Sequence, residues 1–158
     1  MIKVLFVCTG NICRSPSAEG VFQHLLTTEN LIDKVQLDSA GTDAYHVGEA
    51  PDRRSQKAAL KRGIDLSSQR ARQVKHADFD TFTYILAMDS SHYQHLRAVC
   101  PKDKQYKIHL FLDFAPELTT RDVPDPYYTG GDSGFEHVLD LIEAASQGLL
   151  ADIRHHHL

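Results

Sequence analysis

The stretch Val4-Leu5-Phe6-Val7-Cys8-Thr9-Gly10-Asn11-Ile12-Cys13-Arg14-Ser15-Pro16 leaves few folds open. Met1 to Val7 is largely apolar, rich in β-branched and aromatic residues, and has no turn signal inside it. That composition suits a central parallel strand covered on both faces. Cys8 stands where the strand ends. Ser15 reads as the N-cap of a helix and Pro16 as its first residue. The residues between must form a tight loop whose backbone N–H groups collect at a helix N-terminus, an arrangement that binds anions. Gly10 and Asn11 are residue types that tolerate the positive φ angles such a curl needs.

Two side chains make this anion-binding loop reactive. A helix end and a nearby arginine favour the thiolate form of Cys8, which is the nucleophilic form. Arg14 offers a planar fork that matches two oxygens of a phosphoryl group. The pattern is a cysteine, five residues, then an arginine and a hydroxyl residue. The loop has to curl until Cys8 and Arg14 face one tetrahedral anion. Ser15 is placed to donate a hydrogen bond to the Cys8 sulfur, or to serve as a plain cap. The competing reading of Cys8 is an inert buried thiol.

The rest of the chain alternates strand and helix. Ala18, Val21, Phe22, Leu25 and Leu26 have helical spacing, with an end near Glu29-Asn30. Val35 to Leu37 reads as a second strand, and its exit loop holds Ser39. A helix spans roughly Arg53 to Lys61 and stops at Gly63. Tyr84 to Met88 is a third strand, a helix starts at Asp89-Ser90-Ser91 and runs through Leu96, and Lys107 to Leu112 is a fourth strand. Phe114 to Gly134 reads as one long irregular loop, the kind that is usually functional. Asp132 or Ser133 then caps a last helix with Phe135, Val138, Leu139, Ile142, Ala145 and Leu149 on its buried face. The expectation is a single α/β domain over residues 1–154, with a four-stranded parallel sheet, helices on both faces and the phosphate-binding loop after strand one.

Composition narrows the partners. With 158 residues and a formal net charge of −4, the chain has no global basic footprint for nucleic acid. No apolar run approaches the roughly 20 residues that span a bilayer. The start lacks a signal-peptide layout, so a cytoplasmic location is expected. Three cysteines, Cys8, Cys13 and Cys100, do not make a disulfide scaffold. The spacing of Cys8 and Cys13 does suggest a reversible disulfide that would protect the nucleophile. His92 and His95 lie three apart and read as a solvated helix face rather than a metal pair. No metal or other cofactor is expected. Residues 155–158, with three histidines, are set apart as a tail.

Val4 to Glu19 resembles the signature of the low-molecular-weight protein tyrosine phosphatases. The chain length and the distant Asp125-Pro126-Tyr127-Tyr128 resemble that family too. The resemblance implies a phosphatase acting on phosphotyrosine or other aryl phosphates through a cysteinyl-phosphate. Inorganic phosphate is then the product, no cofactor takes part, and a monomer is expected. It assigns the leaving-group acid to Asp125, a loop-organising bond to Asn11 and Ser39, and support of Arg14 to Asp89, which as a helix cap has a second reading. It also implies a histidine in the Asn11 network, where this chain places Gln69.

Residues Thr9 to Cys13 and Ser15 would surround the phosphate. Tyr45, Tyr127 and Tyr128 would line a slot for a flat ring, with Ile12 and Thr9 at its base or rim. Three rival readings remain. Thioredoxin-coupled arsenate reductases need a resolving cysteine pair after strand three, where this chain has only Cys100. Protein-arginine phosphatases tend to carry threonine where Ile12 stands. A non-catalytic phosphotyrosine-binding module would bind without releasing phosphate.

Overall fold

In a computed structural model, which describes residues 1–129 and 131–158, four parallel strands form one sheet in the order β2-β1-β3-β4. The strands are β1 (Ile2–Cys8), β2 (Val35–Gly41), β3 (Tyr84–Ala87) and β4 (Ile108–Leu110). β1 is central, with Val4 to Val7 fully buried, as its unbroken apolar run requires. It pairs Cys8 with Gly41 on one side and Val7 with Ala87 on the other. The chain order of the strands reverses about β1, so ligands are expected beyond its carboxyl end, where Cys8 stands.

The described residues also form six α-helices: α1 (Arg14–Thr28), α2 (Arg53–Leu60), α3 (Asp78–Thr81), α4 (Ser90–Val99), α5 (Pro126–Thr129) and α6 (Asp132–His157). Alternate β1 residues face opposite ways. Val4 and Phe6 enter a core with Phe22, Phe111 and Ile142, under α1 and α6. Leu5 and Val7 enter a second core with Phe79, Ile85 and Leu96, under α3 and α4. Phe6 meets Phe22 and Phe111 edge to face, with ring centroids 6.1 and 5.3 Å away. Among the described residues no helix is long and apolar enough to cross a membrane.

Several boundaries differ from the sequence reading. The second strand continues past Leu37 to Gly41, because Asp38 to Gly41 pair with β1 despite their polarity. The fourth strand is three residues long; Phe111–Phe114 turns into a 3-10 helix. The stretch after Phe114 is not one irregular loop, since α5 and the start of α6 lie inside it. Gly131, at φ +83°, precedes α6 where a side-chain cap at Asp132 or Ser133 was expected. His155 to His157, set aside as a tail, continue α6. Gly130 lies outside the described residues, as does the side chain of Tyr128.

Candidate active site

The loop between β1 and α1 curls under one backbone constraint. Asn11 has φ +57°, the left-handed region that asparagine tolerates. Gly10 does not have positive φ, contrary to the sequence expectation. Its role is space: a Cβ there would sit 2.9 Å from Cδ2 of His46. The cap also differs. Cys13 occupies the N-cap, so Ser15 and Pro16 fall within the first turn of α1.

The Ser15 hydroxyl turns to the site instead of capping. Asn11 Nδ2 donates to Ser15 Oγ at 2.8 Å and to Ser39 Oγ at 2.9 Å, while Asn11 Oδ1 accepts from the Arg72 N–H at 3.0 Å. Ser15 Oγ lies 3.0 Å from Cys8 Sγ. Because Ser15 already accepts from Asn11, its own proton turns to the sulfur or to the Ala40 carbonyl, which is the more distant at 3.5 Å. Ser39 leans on Gln69 Oε1 at 3.5 Å, and Gln69 Nε2 donates to the Pro16 carbonyl at 3.0 Å. Glutamine therefore does join this network.

Arg14 is 4% exposed and held on two sides. Nη1 donates to Asp89 Oδ2 at 2.7 Å and to the Val123 carbonyl at 3.0 Å. Nη2 lies 3.5 Å from Asp125 Oδ2. Burial opposes ionisation of Asp89. Hydrogen bonds from Ser91, the His92 N–H and Arg14, with the field of His92, outweigh it and hold the carboxyl below the usual range. Asp89 is also the N-cap of α4.

Cys8, Thr9, Gly10, Ile12, Cys13, Arg14, Tyr45, Asp125 and Tyr127 line one cavity of about 360 Å³, together with Asp43 and His46. Tyr45 and Tyr127 stand at its exposed rim. Cys13 is a free thiol beside Cys8, and burial pushes its pKa up to about 12. No cluster of metal-ligating side chains occurs among the described residues.

Four residues escaped the sequence reading. His92 is not on a solvated face: it is 2% exposed, with Nε2 2.7 Å from Thr9 Oγ1 and 3.5 Å from Arg14 Nη2. Its position three after the cap residue Asp89 was the available signal. His46 and Asp43 enter from the loop after β2, where sequence offers no periodicity. Arg54 forms a bidentate pair with Asp52 and lies 5.4 Å from the Tyr127 ring.

A parallel α/β sheet that opens onto a thiol, a guanidinium and a carboxylate marks a protein that handles anionic ligands. Comparison with known proteins defines the class. Residues 3–157 match the family model described as low molecular weight phosphotyrosine protein phosphatase. The chain is 42% identical over 154 residues to the low molecular weight protein-tyrosine-phosphatase YfkJ of Bacillus subtilis, covering 98% of this chain and 97% of that one. It is 47% identical over 138 residues to the low molecular weight phosphotyrosine protein phosphatase of Rattus norvegicus, covering 86% and 85%. A crystal structure of a protein tyrosine phosphatase from Entamoeba histolytica superposes with a TM-score of 0.95 at 41% identity, over the whole of both chains. The chain belongs to the low molecular weight protein-tyrosine phosphatases. It is thus a cysteine-dependent phosphatase acting on phosphorylated substrate.

Proposed function

We propose that Cys8 is the nucleophile, Arg14 the phosphoryl clamp and Asp125 the acid and base of a two-step hydrolysis. The observation that carries this is the convergence of the three on one cavity, with Arg14 bonded to Asp89 and 3.5 Å from Asp125. In the first step the Cys8 sulfur attacks phosphorus. The S–P bond forms, the P–O(aryl) bond breaks, and Asp125 gives its proton to the departing phenolate. In the second step water attacks phosphorus, Asp125 takes its proton, and the P–S bond breaks to release inorganic phosphate. Ser15 supports the sulfur as attacking and leaving group.

The loop backbone supports the same reading. The carbonyls of Cys8, Thr9, Ile12 and Cys13 accept from Thr42, Asp43, Asp52 and Ser17. Those four carbonyl oxygens are thereby engaged within the protein, which leaves the loop N–H groups for the equatorial oxygens, where transition-state charge lies. Ile12, Tyr45 and Tyr127 make walls for a flat ring, so phosphotyrosine is the substrate that fits. The protein acts as a monomer in the cytoplasm, as a single domain, without metal or other cofactor.

The test is phosphate release from a phosphotyrosine peptide in EDTA and reductant. Wild type is expected to turn over, Cys8→Ser to be inactive, and Asp125→Asn to lose kcat/KM most steeply for leaving groups of high pKa. If Asp125→Asn left phosphotyrosine turnover untouched, Asp125 would not be the acid. Release from a phosphoarginine peptide alone would move the assignment to an arginine phosphatase. Tight binding of the phosphotyrosine peptide with no release by wild type would make the chain a binding module.

A further inference from the structure

The wall of the cavity nearest Asp125 carries a hydrogen-bonded pair to which the two-step reaction gives no role. His92 is buried in the first turn of α4. Its backbone N–H donates to Asp89 Oδ1 at 3.1 Å, and its Nδ1 accepts the Asp89 backbone N–H at 3.2 Å. Nδ1 also lies 3.1 Å from Asp89 Oδ1, but the Asp89 backbone N–H points at that nitrogen and can only donate, and Arg14 Nη2 reaches Nε2 no closer than 3.5 Å, so we assign the proton of the neutral ring to Nε2. Nε2 lies 2.7 Å from Thr9 Oγ1, so it donates there.

The ring is neutral at pH 7, because burial and the Arg14 charge lower its pKa to about 4, against the opposing fields of Asp89, Asp122 and Asp125. One lone pair of the Thr9 hydroxyl is thereby occupied, and the hydroxyl proton is left to find an acceptor of its own. Thr9 lines the cavity with Cys8, Arg14 and Asp125. Arg14 Nη2 lies 3.5 Å from both His92 Nε2 and Asp125 Oδ2, which places the pair on the acid's side of the site.

We propose that the Thr9 hydroxyl, oriented by His92, donates a hydrogen bond to the phosphoryl group bound at Cys8. This deepens the reading of the cavity as a phosphoryl site and rests on it. Thr9 then touches the substrate and adds one side-chain donor to the loop N–H groups and Arg14. His92 acts only through Thr9 and is a positioning residue. A cap of α4 alone would explain the Nδ1 contact but gives no reason for Nε2 to engage a loop hydroxyl 83 positions away.

Four variants test this: Thr9→Val, Thr9→Ser, His92→Gln and the Thr9→Val/His92→Gln double. The readouts are kcat and kcat/KM for a phosphotyrosine peptide and the inhibition constant of inorganic phosphate. Thr9→Val, which removes the hydroxyl at constant shape, is expected to lower kcat/KM and weaken phosphate inhibition, each about tenfold. Thr9→Ser should restore both. The double variant should be no worse than Thr9→Val, because His92 works through the hydroxyl. Unchanged kcat/KM and phosphate inhibition in Thr9→Val would overturn the proposal. So would losses that multiply in the double variant. If His92→Gln fails to fold, Thr9→Val and Thr9→Ser decide alone. An inactive wild type, or an active Cys8→Ser, would sink the underlying assignment of the site instead.

Discussion

Asn11 concentrates the strain and the hydrogen bonding of the loop, so replacing it should damage stability and chemistry by separable amounts. In Asn11→Ala, an alanine must hold φ near +57°, at a cost of about 1–2 kcal/mol. Three hydrogen bonds vanish, to Ser15, Ser39 and the Arg72 N–H. Two of these partners are hydroxyls that can turn elsewhere, and the Arg72 N–H is left short of an acceptor. A further loss of about 2 kcal/mol follows. The sum is about 3–4 kcal/mol, or a melting temperature about 10 °C lower for a chain of this size. Asn11→Gly removes the same bonds without the φ strain, and glycine's extra backbone freedom in the unfolded chain returns part of that difference. It should melt about 3 °C above the alanine variant. In both variants Ser15 loses the bond that aims its proton at Cys8, and kcat should fall about ten- to a hundredfold. Calorimetry with steady-state kinetics on an aryl phosphate reads all of this. Equal melting temperatures for alanine and glycine would refute the strain argument. Full activity in the glycine variant would show that loop curvature matters and the amide bonds do not.

Other expectations follow from single contacts. Gly148→Ala should destabilise by about 3 kcal/mol or more, because its Cβ would fall 1.7 Å from the Phe114 carbonyl oxygen, a backbone atom with no rotamer to yield; a urea midpoint within error of wild type would refute the packing argument. His92 has a folded-state pKa of about 4, below its unfolded value near 6.5, so the unfolded chain binds the extra proton between those values. Its contribution should fall by about 2 kcal/mol from pH 7 to pH 5 and be regained as pH rises. Wild type should therefore lose more stability over that interval than His92→Gln, and parallel losses would count against the shift. Iodoacetate at pH 6 should modify Cys8 and spare Cys13, whose thiol burial keeps protonated. Peptide mapping that found Cys13 labelled first would reverse that order. Peroxide followed by non-reducing mapping should yield a Cys8–Cys13 linkage; over-oxidised Cys8 beside a free Cys13 would exclude it.

What sequence could and could not disclose here follows from the range of the forces involved. The central strand was legible because burial on both faces forces a continuous apolar run, and Val4 to Val7 has no other home. The reactive loop was legible because Cys8, Asn11, Arg14 and Ser15 are neighbours in the chain, so their spacing alone brings them near one anion. Asp125 needed a family resemblance, since nothing local says that a residue 111 positions after Arg14 will stop 3.5 Å from it. Of the two roles open to Ser15 in the sequence, the cap falls to Cys13, because α1 starts earlier, and the hydroxyl meets Asn11 and Cys8 instead. Gly10 misled because glycine signals either positive φ or close approach, and only the folded loop reveals His46 against it. His92 is the clearest case. A histidine on a short helix with a polar neighbourhood in sequence reads as solvated, and it is the crossing of α4 behind the loop that buries it between Thr9 and Arg14. The residues that sequence missed are thus those whose partners arrive from another element. A donor such as the Thr9 hydroxyl can therefore be set by a residue that no motif includes.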